Sequence, residues 1–430
     1  MDGDTVAPAC MDVAIIGGGA AGYFVSANLA LRSTGSTAVL FEASSRPLSK
    51  VRISGGGRCN VTHHQFDPLR LVENYPRGSR ELRGSFTRFH PEHMISWLAN
   101  RGVKTKTEAD GRVFPVSDDS GEIIRTLMEA CRESGVETRT GYRLQSVERM
   151  GSNCGFRLGF QNGYHCECRY LVMGTGSHAS GHRIAAQLGH TVVSPVPSLF
   201  TFNIQDARIE GLAGVSFSKV RARYRAGKGI TEQQGPMLIT HWGLSGPAIL
   251  KLSAWAAREL AAQHYRGEIE VDFLADCSVA EAEQRLLDLR DMHGAKMLRN
   301  APFDGVPRRY WTRMLEVLGL QAMQVSQLNK SQWRSVLDQL KCARFAFDGK
   351  STNKDEFVTA GGISTGEVDL KTMQSRRVSG LYFLGEMLNV DGVTGGFNFQ
   401  FAWTSAMLCA RNLNERIVSC SGDAGVEAAH

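Results

Sequence analysis

Three glycine-rich clusters carry the chemistry open to this chain. The first, Gly17-Gly-Gly-Ala-Ala-Gly22, follows the apolar run Val13–Ile16 and leads into Ala20–Arg32, which is rich in helix formers. Gly17 permits a tight turn, Gly19 lets a pyrophosphate approach the backbone, and Gly22 allows a helix to pack closely on a strand. Glu42 ends the next apolar run, Thr37–Glu42, twenty residues past Gly22, where an acid bonds a ribose 2′-hydroxyl. Strand, turn, helix and acid in that register predict an adenine dinucleotide ligand. The second cluster is Ser54-Gly-Gly-Gly-Arg-Cys-Asn60, whose three glycines expose backbone N–H groups to a flat or anionic ligand. Arg58 offers a planar fork for a phosphate or a ring carbonyl, and Asn60 can donate and accept along a flavin edge. Cys59 reads either as a small packed residue or as a proton donor or nucleophile beside a cofactor. The third cluster joins Gly385-Glu386 to Asp391-Gly-Val-Thr-Gly-Gly-Phe-Asn398. Gly395 and Gly396 at a helix start aim a positive dipole end at a ligand, as stabilising a reduced flavin requires. The bland alternative is a glycine-rich helix entry with Asn398 as a local cap.

Weaker signals accompany these. Gly174-Thr175-Gly176 follows the run Tyr170–Met173 and echoes the first turn. Thr240-His-Trp-Gly-Leu-Ser-Gly-Pro247 offers His241 as an acid or base, or as a hydrogen-bonded structural histidine. No H-E-x-x-H or Walker A pattern occurs, so zinc protease and P-loop functions fall away. The ten cysteines include no C-x-x-C pair and no zinc spacing, so no metal site is expected. Cys166 and Cys168 are expected on a surface hairpin. Reduced thiols fit an intracellular protein.

The elements that must position these residues follow from apolar patterning. Val13–Ile16, Ala38–Phe41, Tyr170–Met173 and Leu381–Leu384 read as strands of one doubly wound sheet. The last lies more than 360 residues beyond the first, so the nucleotide domain must be discontinuous. Val136–Arg139, Leu144–Met150, Phe156–Gln161 and Tyr164–Arg169 read as a separate small sheet. Strand-like segments dominate from Ser198 to Phe273. Helical spacing then covers Val279–Met292, with Ser278 and Glu281 as a capping box, Arg309–Leu318 and Lys330–Leu340.

Charge is uneven. Residues 295–345 hold nine Lys and Arg against three Asp and Glu, an excess as large as the net +6 of the whole chain. A second basic stretch, 52–88, carries Arg52, Arg58, Arg70, Arg77, Arg80, Arg83 and Arg88. Such stretches fit either a polyanion surface or solvated helix faces. No apolar run reaches the roughly 18–20 residues that span a bilayer, and no signal pattern precedes the first strand. Cytoplasm is expected, or an organelle stroma or matrix if a targeting peptide has been removed.

Together GGGAAG, SGGGRCN, THWGLSGP, TAGG (Thr359–Gly362), KTM (Lys371–Met373) and GLYFLGE–GGFNFQ resemble the BaiN/YhiN-like flavoproteins, also known as aminoacetone-oxidase-family FAD-binding enzymes. Tyr75-Pro-Arg-Gly78 is closer in look to the plant and cyanobacterial branch. The resemblance implies an α/β fold: a discontinuous Rossmann-like FAD domain with an inserted β-barrel-like domain and a small helical domain. Residues 1–195 and 355–430 would form the FAD domain, 196–274 and 331–354 the β-rich insert, and 275–330 the helical insert. It also implies FAD contacts at Gly17, Gly19, Gly22, Glu42, Gly55, Gly56, Gly57, Arg58, Asn60, Glu386, Gly396 and Asn398. The neighbours Ala20, Ala21, Lys50, Ser54, Cys59, Gly174, Thr175, Gly176, Gly385, Gly395 and Phe397 complete the expected set. The chain departs from the family pattern at Gly174–His178, where the loop is short, and at Asn389, where relatives often carry Asp.

Three functions are open, the first two implied by the family. One is a flavin reductase of a carbon–carbon double bond, such as uracil to dihydrouridine in ribosomal RNA, with Cys59 or His241 as proton donor and the basic stretches on phosphates. Another is a small-amine oxidase using dioxygen. The last is a non-catalytic, FAD-stabilised RNA-binding or scaffold protein. A single Rossmann fingerprint leaves no dedicated nicotinamide domain, so NADH or NADPH would visit the flavin transiently. Oligomeric state is not encoded in any of these patterns.

Overall fold

In the computed structural model, which describes residues 9–151, 155–227, 229–351 and 358–423, the four expected strands lie side by side in one sheet. The parallel core comprises β1 (Ala9–Ile16), β2 (Ala38–Glu42), β3 (Glu137–Thr140), β4 (His165–Met173) and β5 (Leu381–Phe383), in the order β5-β4-β1-β2-β3. Val13, Ile15, Leu40, Phe41, Leu171, Val172, Leu381 and Phe383 are fully buried. A sheet covered on both faces demands such unbroken apolar runs. Ile16 stands opposite both Phe41 and Met173, and Met173 opposite Phe383. The carboxyl ends are therefore level, and the crevice above them is where such sheets hold ligands.

Three expectations need correction. The run 136–139 joins the main sheet as its edge β3, and strands Leu144–Arg149 and Phe156–Phe160 extend the same sheet from β4. Tyr164–Arg169 and Tyr170–Met173 are one continuous strand, β4. Its first half alternates buried Cys166 and Cys168 with outward Glu167 and Arg169, and its second half is buried on both faces. That change of period disguised a single strand as two, and it places both cysteines in the core instead of on a hairpin surface. The expected helix 20–32 stops early, as α1 (Ala20–Ser26). The Asn28 amide turns back onto the Phe24 carbonyl at 2.7 Å, while Asn414 bonds the Asn28 carbonyl and the Ala30 N–H.

The chain divides into two units, Met1–Pro195 with Val358–His430, and Val196–Phe357. The boundary expected at 354/355 falls within 352–357, outside the described residues. The second unit is built on a seven-stranded antiparallel sheet around the long hairpin Ser216–Ala226/Gly229–Ile239. Helices Val279–His293, Arg308–Val317 and Lys330–Lys341 share one apolar core with that sheet, where Tyr310 meets Phe217 and Phe273 at 5.2 and 4.6 Å. The Ser278/Glu281 capping box forms as expected. Among the described residues no helix is long and apolar enough to cross a membrane.

Candidate cofactor site

The turn from β1 into α1 is closed by backbone contacts that leave no room for side chains. A Cβ on Gly22 would lie 1.9 Å from the Gly17 carbonyl oxygen, and one on Gly17, at φ +106°, would lie 2.5 Å from the Gly174 carbonyl. A Cβ on Gly19 would meet nothing within 4 Å. Two glycines thus serve packing, and the third keeps the helix N-terminus, with Ala20 and Ala21, open toward a ligand. Glu42 is oriented by this loop: one carboxylate oxygen accepts the Gly18 N–H at 2.6 Å and the other the Ser44 N–H at 2.7 Å.

Ser54–Gly57 forms a tight turn in which Gly56 and Gly57 face open space and Gly55 abuts the Phe114 ring. Arg58 stacks on Phe114, with its guanidinium carbon 4.0 Å from the ring centroid, and pairs with Glu108 at 2.7 Å. Its fork is committed to a structural staple between the turn and strand Arg112–Pro115. Cys59 takes the unusual φ of +62°, is fully buried, and donates its N–H to the Ser54 carbonyl. Burial pushes its thiol up to about 12. So placed, the thiol is enclosed and protonated, which favours packing over chemistry.

From the C-terminal side, β5 delivers Gly385 and Glu386 beside the first turn. Lys50 Nζ pairs with Glu386 Oε2 at 2.8 Å, the other Glu386 oxygen accepts the Thr359 N–H at 3.2 Å, and the Ser405 hydroxyl accepts the Gly385 N–H. Helix α2 (Phe397–Asp423) begins immediately after Gly395 and Gly396. A Cβ on Gly396 would sit 2.6 Å from the Thr62 carbonyl and 2.9 Å from Asn60 Oδ1, which locks the second cluster against the third. Thr62 donates to Gln400 at 2.6 Å and Trp403 to the Val61 carbonyl at 2.9 Å. Asn398 closes the loop before α2 by bonding both the N–H and the carbonyl of Gly392. Gly174 follows β4 into the same crevice, and a Cβ on Gly176 would lie 3.6 Å from Glu386 Oε2. The Thr175 hydroxyl is buried against Gly181 with no hydrogen-bond partner among the described residues.

Residues from four distant stretches thus meet over the carboxyl ends of β1, β2, β4 and β5. The arrangement fits an extended dinucleotide: glycines without Cβ neighbours at 19, 56 and 57, an acid at Glu42, and a helix N-terminus at Phe397. Among the described residues no cluster of side chains could hold a metal ion. His241 belongs to the second unit, exposed on the turn between Gly229–Ile239 and Gly243–Ser245.

Sequence reasoning overlooked the segment Asn74–Gly78 as part of this assembly. The buried Tyr75 hydroxyl donates to the Phe397 carbonyl at 2.7 Å. Asp391, fully buried, is gripped by both the Nε and Nη2 of Arg77. The Val393 N–H donates to the Asn74 carbonyl, and a Cβ on Gly78 would press on Val390. The sole signal in the sequence was an Asp in a glycine-rich loop with no cation near it in the chain.

Residues 11–412 match the family described as HI0933-like protein Rossmann domain. The chain belongs to that family. Among HI0933-like relatives, the ribosomal RNA dihydrouridine synthase of Escherichia coli K12 is 30% identical over 411 residues, covering 94% of this chain and 98% of that protein. The 3-dehydro-bile acid delta(4,6)-reductase of Clostridium scindens is 28% identical over 415 residues, covering 94% and 99%. A solved 3-ketosteroid delta1-dehydrogenase from Sterolibacterium denitrificans aligns with a TM-score of 0.50 at 12% identity, over 95% of this chain and all of that one, which shows the fold alone. The expected flavoprotein family and its Rossmann fold therefore hold, and the protein is an FAD-dependent oxidoreductase of the HI0933-like family.

Proposed function

We propose that the protein reduces the C5–C6 double bond of uracil in ribosomal RNA to dihydrouridine, drawing electrons from NADH or NADPH through FAD. The flavin half of this reading is carried by the meeting of Glu42, the Lys50–Glu386 pair and the Asn60–Gly396 contact over one crevice. The substrate half is supported by the full-length likeness to proteins named ribosomal RNA dihydrouridine synthase. In this reading Glu42 accepts from the adenosine ribose, and the turn Gly17–Gly22 with Ala20 and Ala21 receives the pyrophosphate. Glu386, held by Lys50, accepts from a ribityl hydroxyl. The open face of Gly56 and Gly57 lies along the ring system. The start of α2, with Gly395 and Gly396 behind it, stabilises negative charge on the pyrimidine edge of the ring.

Bound FAD supplies hydride transfer, from a nicotinamide and then to an electron-poor carbon. The chain must supply position and a proton. Imidazole is the commonest proton donor of this kind; the enclosed Cys59 thiol is given no proton-transfer role. A ribosomal RNA substrate requires a compartment containing ribosomes: cytoplasm, stroma or matrix.

The test is anaerobic reduction of the purified holoprotein by NADH and by NADPH, followed by ribosomal RNA lacking dihydrouridine. Flavin reoxidation matched by dihydrouridine in the RNA is expected. Reoxidation by dioxygen alone, with peroxide released and the RNA unchanged, overturns the proposal.

A further inference from the structure

The cations of the two basic stretches separate into spent and available once their partners are known. In 295–345, Arg309 and Arg313 donate to the Gly211 and Ala207 carbonyls, Arg334 pairs with Glu283 and Asp338, and Arg344 pairs with Glu268. Lys341 is buried against Asp272 and the Leu274 carbonyl. In 52–88, Arg58, Arg70 and Arg77 are paired with Glu108, Asp67 and Asp391. Much of the apparent charge is therefore paired or hydrogen-bonded within the protein.

Arg83 and Arg88 are exposed and make no ion pair among the described residues. The fold brings two further cations to them from far along the chain. The Ser85 hydroxyl donates to the Leu370 carbonyl at 2.8 Å, which sets the exposed Lys371 beside the turn Arg83–Phe86. Arg411, exposed on α2, donates one N–H to the Arg88 carbonyl at 3.2 Å and leaves the rest of its fork outward. Among the described residues neither the Lys371 ammonium nor the Arg411 guanidinium makes an ion pair, although the Lys371 backbone N–H donates to Asp369 at 3.0 Å. Among the described residues the neighbouring acids are Glu81 and Glu415, both exposed, and the partly exposed Asp369, which pairs with Arg376.

We propose that Arg83, Arg88, Lys371 and Arg411 form the surface that grips the phosphate backbone of the substrate RNA. The inference rests on the RNA reading of the preceding subsection. Like charges drawn together in excess of the acids around them repel one another, and a polyanion relieves that repulsion while releasing its own counterions. Three of the four are arginines, whose planar forks match phosphate oxygens. Arg411 stands fourteen residues along α2 from Phe397, about 21 Å at the helical rise of 1.5 Å per residue. A folded RNA covers that distance from the reacting base, and a free nucleoside does not.

The experiment compares wild-type holoprotein with R83Q/R88Q/K371Q/R411Q for binding to ribosomal RNA lacking dihydrouridine, across about 50–300 mM salt. Flavin absorbance and dithionite reduction serve as controls of folding. With four phosphate contacts removed, the slope of log affinity against log salt should shrink by roughly 3, with affinity down at least about tenfold at physiological salt. The lysine variant R83K/R88K/R411K should keep most of the affinity, because charge is retained. Normal flavin loading with unchanged RNA affinity and slope in the glutamine variant overturns this surface and leaves the RNA reading standing. Wild type that binds no RNA at any salt defeats the RNA reading and the surface with it. If the quadruple variant loses its flavin, the single variants R83Q and K371Q are measured: each should lower the slope by about 0.7, and unchanged slopes in both overturn the surface.

Discussion

Glu42 serves the protein before it serves any ligand, since its two oxygens tie the Gly18 and Ser44 N–H groups. If it also accepts from the adenosine ribose, Glu42→Ala removes a charge-assisted hydrogen bond of about 1.5–3 kcal/mol. FAD affinity should then fall roughly tenfold to a hundredfold, read by flavin fluorescence on titrating apoprotein; an unmoved Kd would detach the adenosine from this residue. Cys59 offers a pH prediction. Its folded pKa of about 12 exceeds the ordinary 9.0, so below pH 9 the thiol is protonated in both folded and unfolded chains. Above that, only the unfolded chain releases the proton, and stability declines as pH climbs toward 12, by about 1.4 kcal/mol per pH unit at most. Urea unfolding at pH 8 and 10.5 should show a larger loss for wild type than for Cys59→Ala. Equal losses would mean that the thiol is not enclosed.

At the scale of elements, the start of α2 is held from outside by Asn74–Gly78. Arg77→Ala removes the cation that faces the buried Asp391 carboxylate, a change that typically costs about 3–5 kcal/mol. The double variant Arg77→Ala/Asp391→Asn should recover part of that loss, because the buried negative charge is removed along with its cation. Urea midpoints report the stability, and the flavin midpoint potential reports whether the helix start has moved relative to the ring. A single variant as stable as wild type would disprove the clasp. The glycines of this loop, the helix after them and the strand before them were all readable as local pattern. The clasp was not, because Tyr75 and Arg77 lie more than 300 residues from Phe397 and Asp391 in the chain.

For the whole molecule, the two units each enclose their own apolar core, and every expected cofactor residue belongs to the first. Saturating FAD should therefore stabilise one unit selectively. At a free concentration a hundredfold above Kd the gain is about 2.7 kcal/mol. Calorimetry of apoprotein and holoprotein should show an upward shift in the transition of the first unit, while the transition that exposes Trp311 of the second stays in place. A single transition that moves as a whole would contradict independent cores.

Strand-turn-helix grammar is local, which is why the turn at Gly17 and Gly22, the acid at Glu42 and the Ser278/Glu281 cap were legible from order and spacing alone. Each answers to backbone clashes or hydrogen bonds within a few residues, or to one parallel neighbour. Burial and pairing obey no such limit. Whether Arg58 is free for phosphate, whether Cys59 can ionise, and whether Arg411 joins Arg88 depend on what the rest of the chain presses against them. Those answers came only from the tertiary structure, because the desolvation and ion pairing that decide them arise between segments that chain order keeps apart.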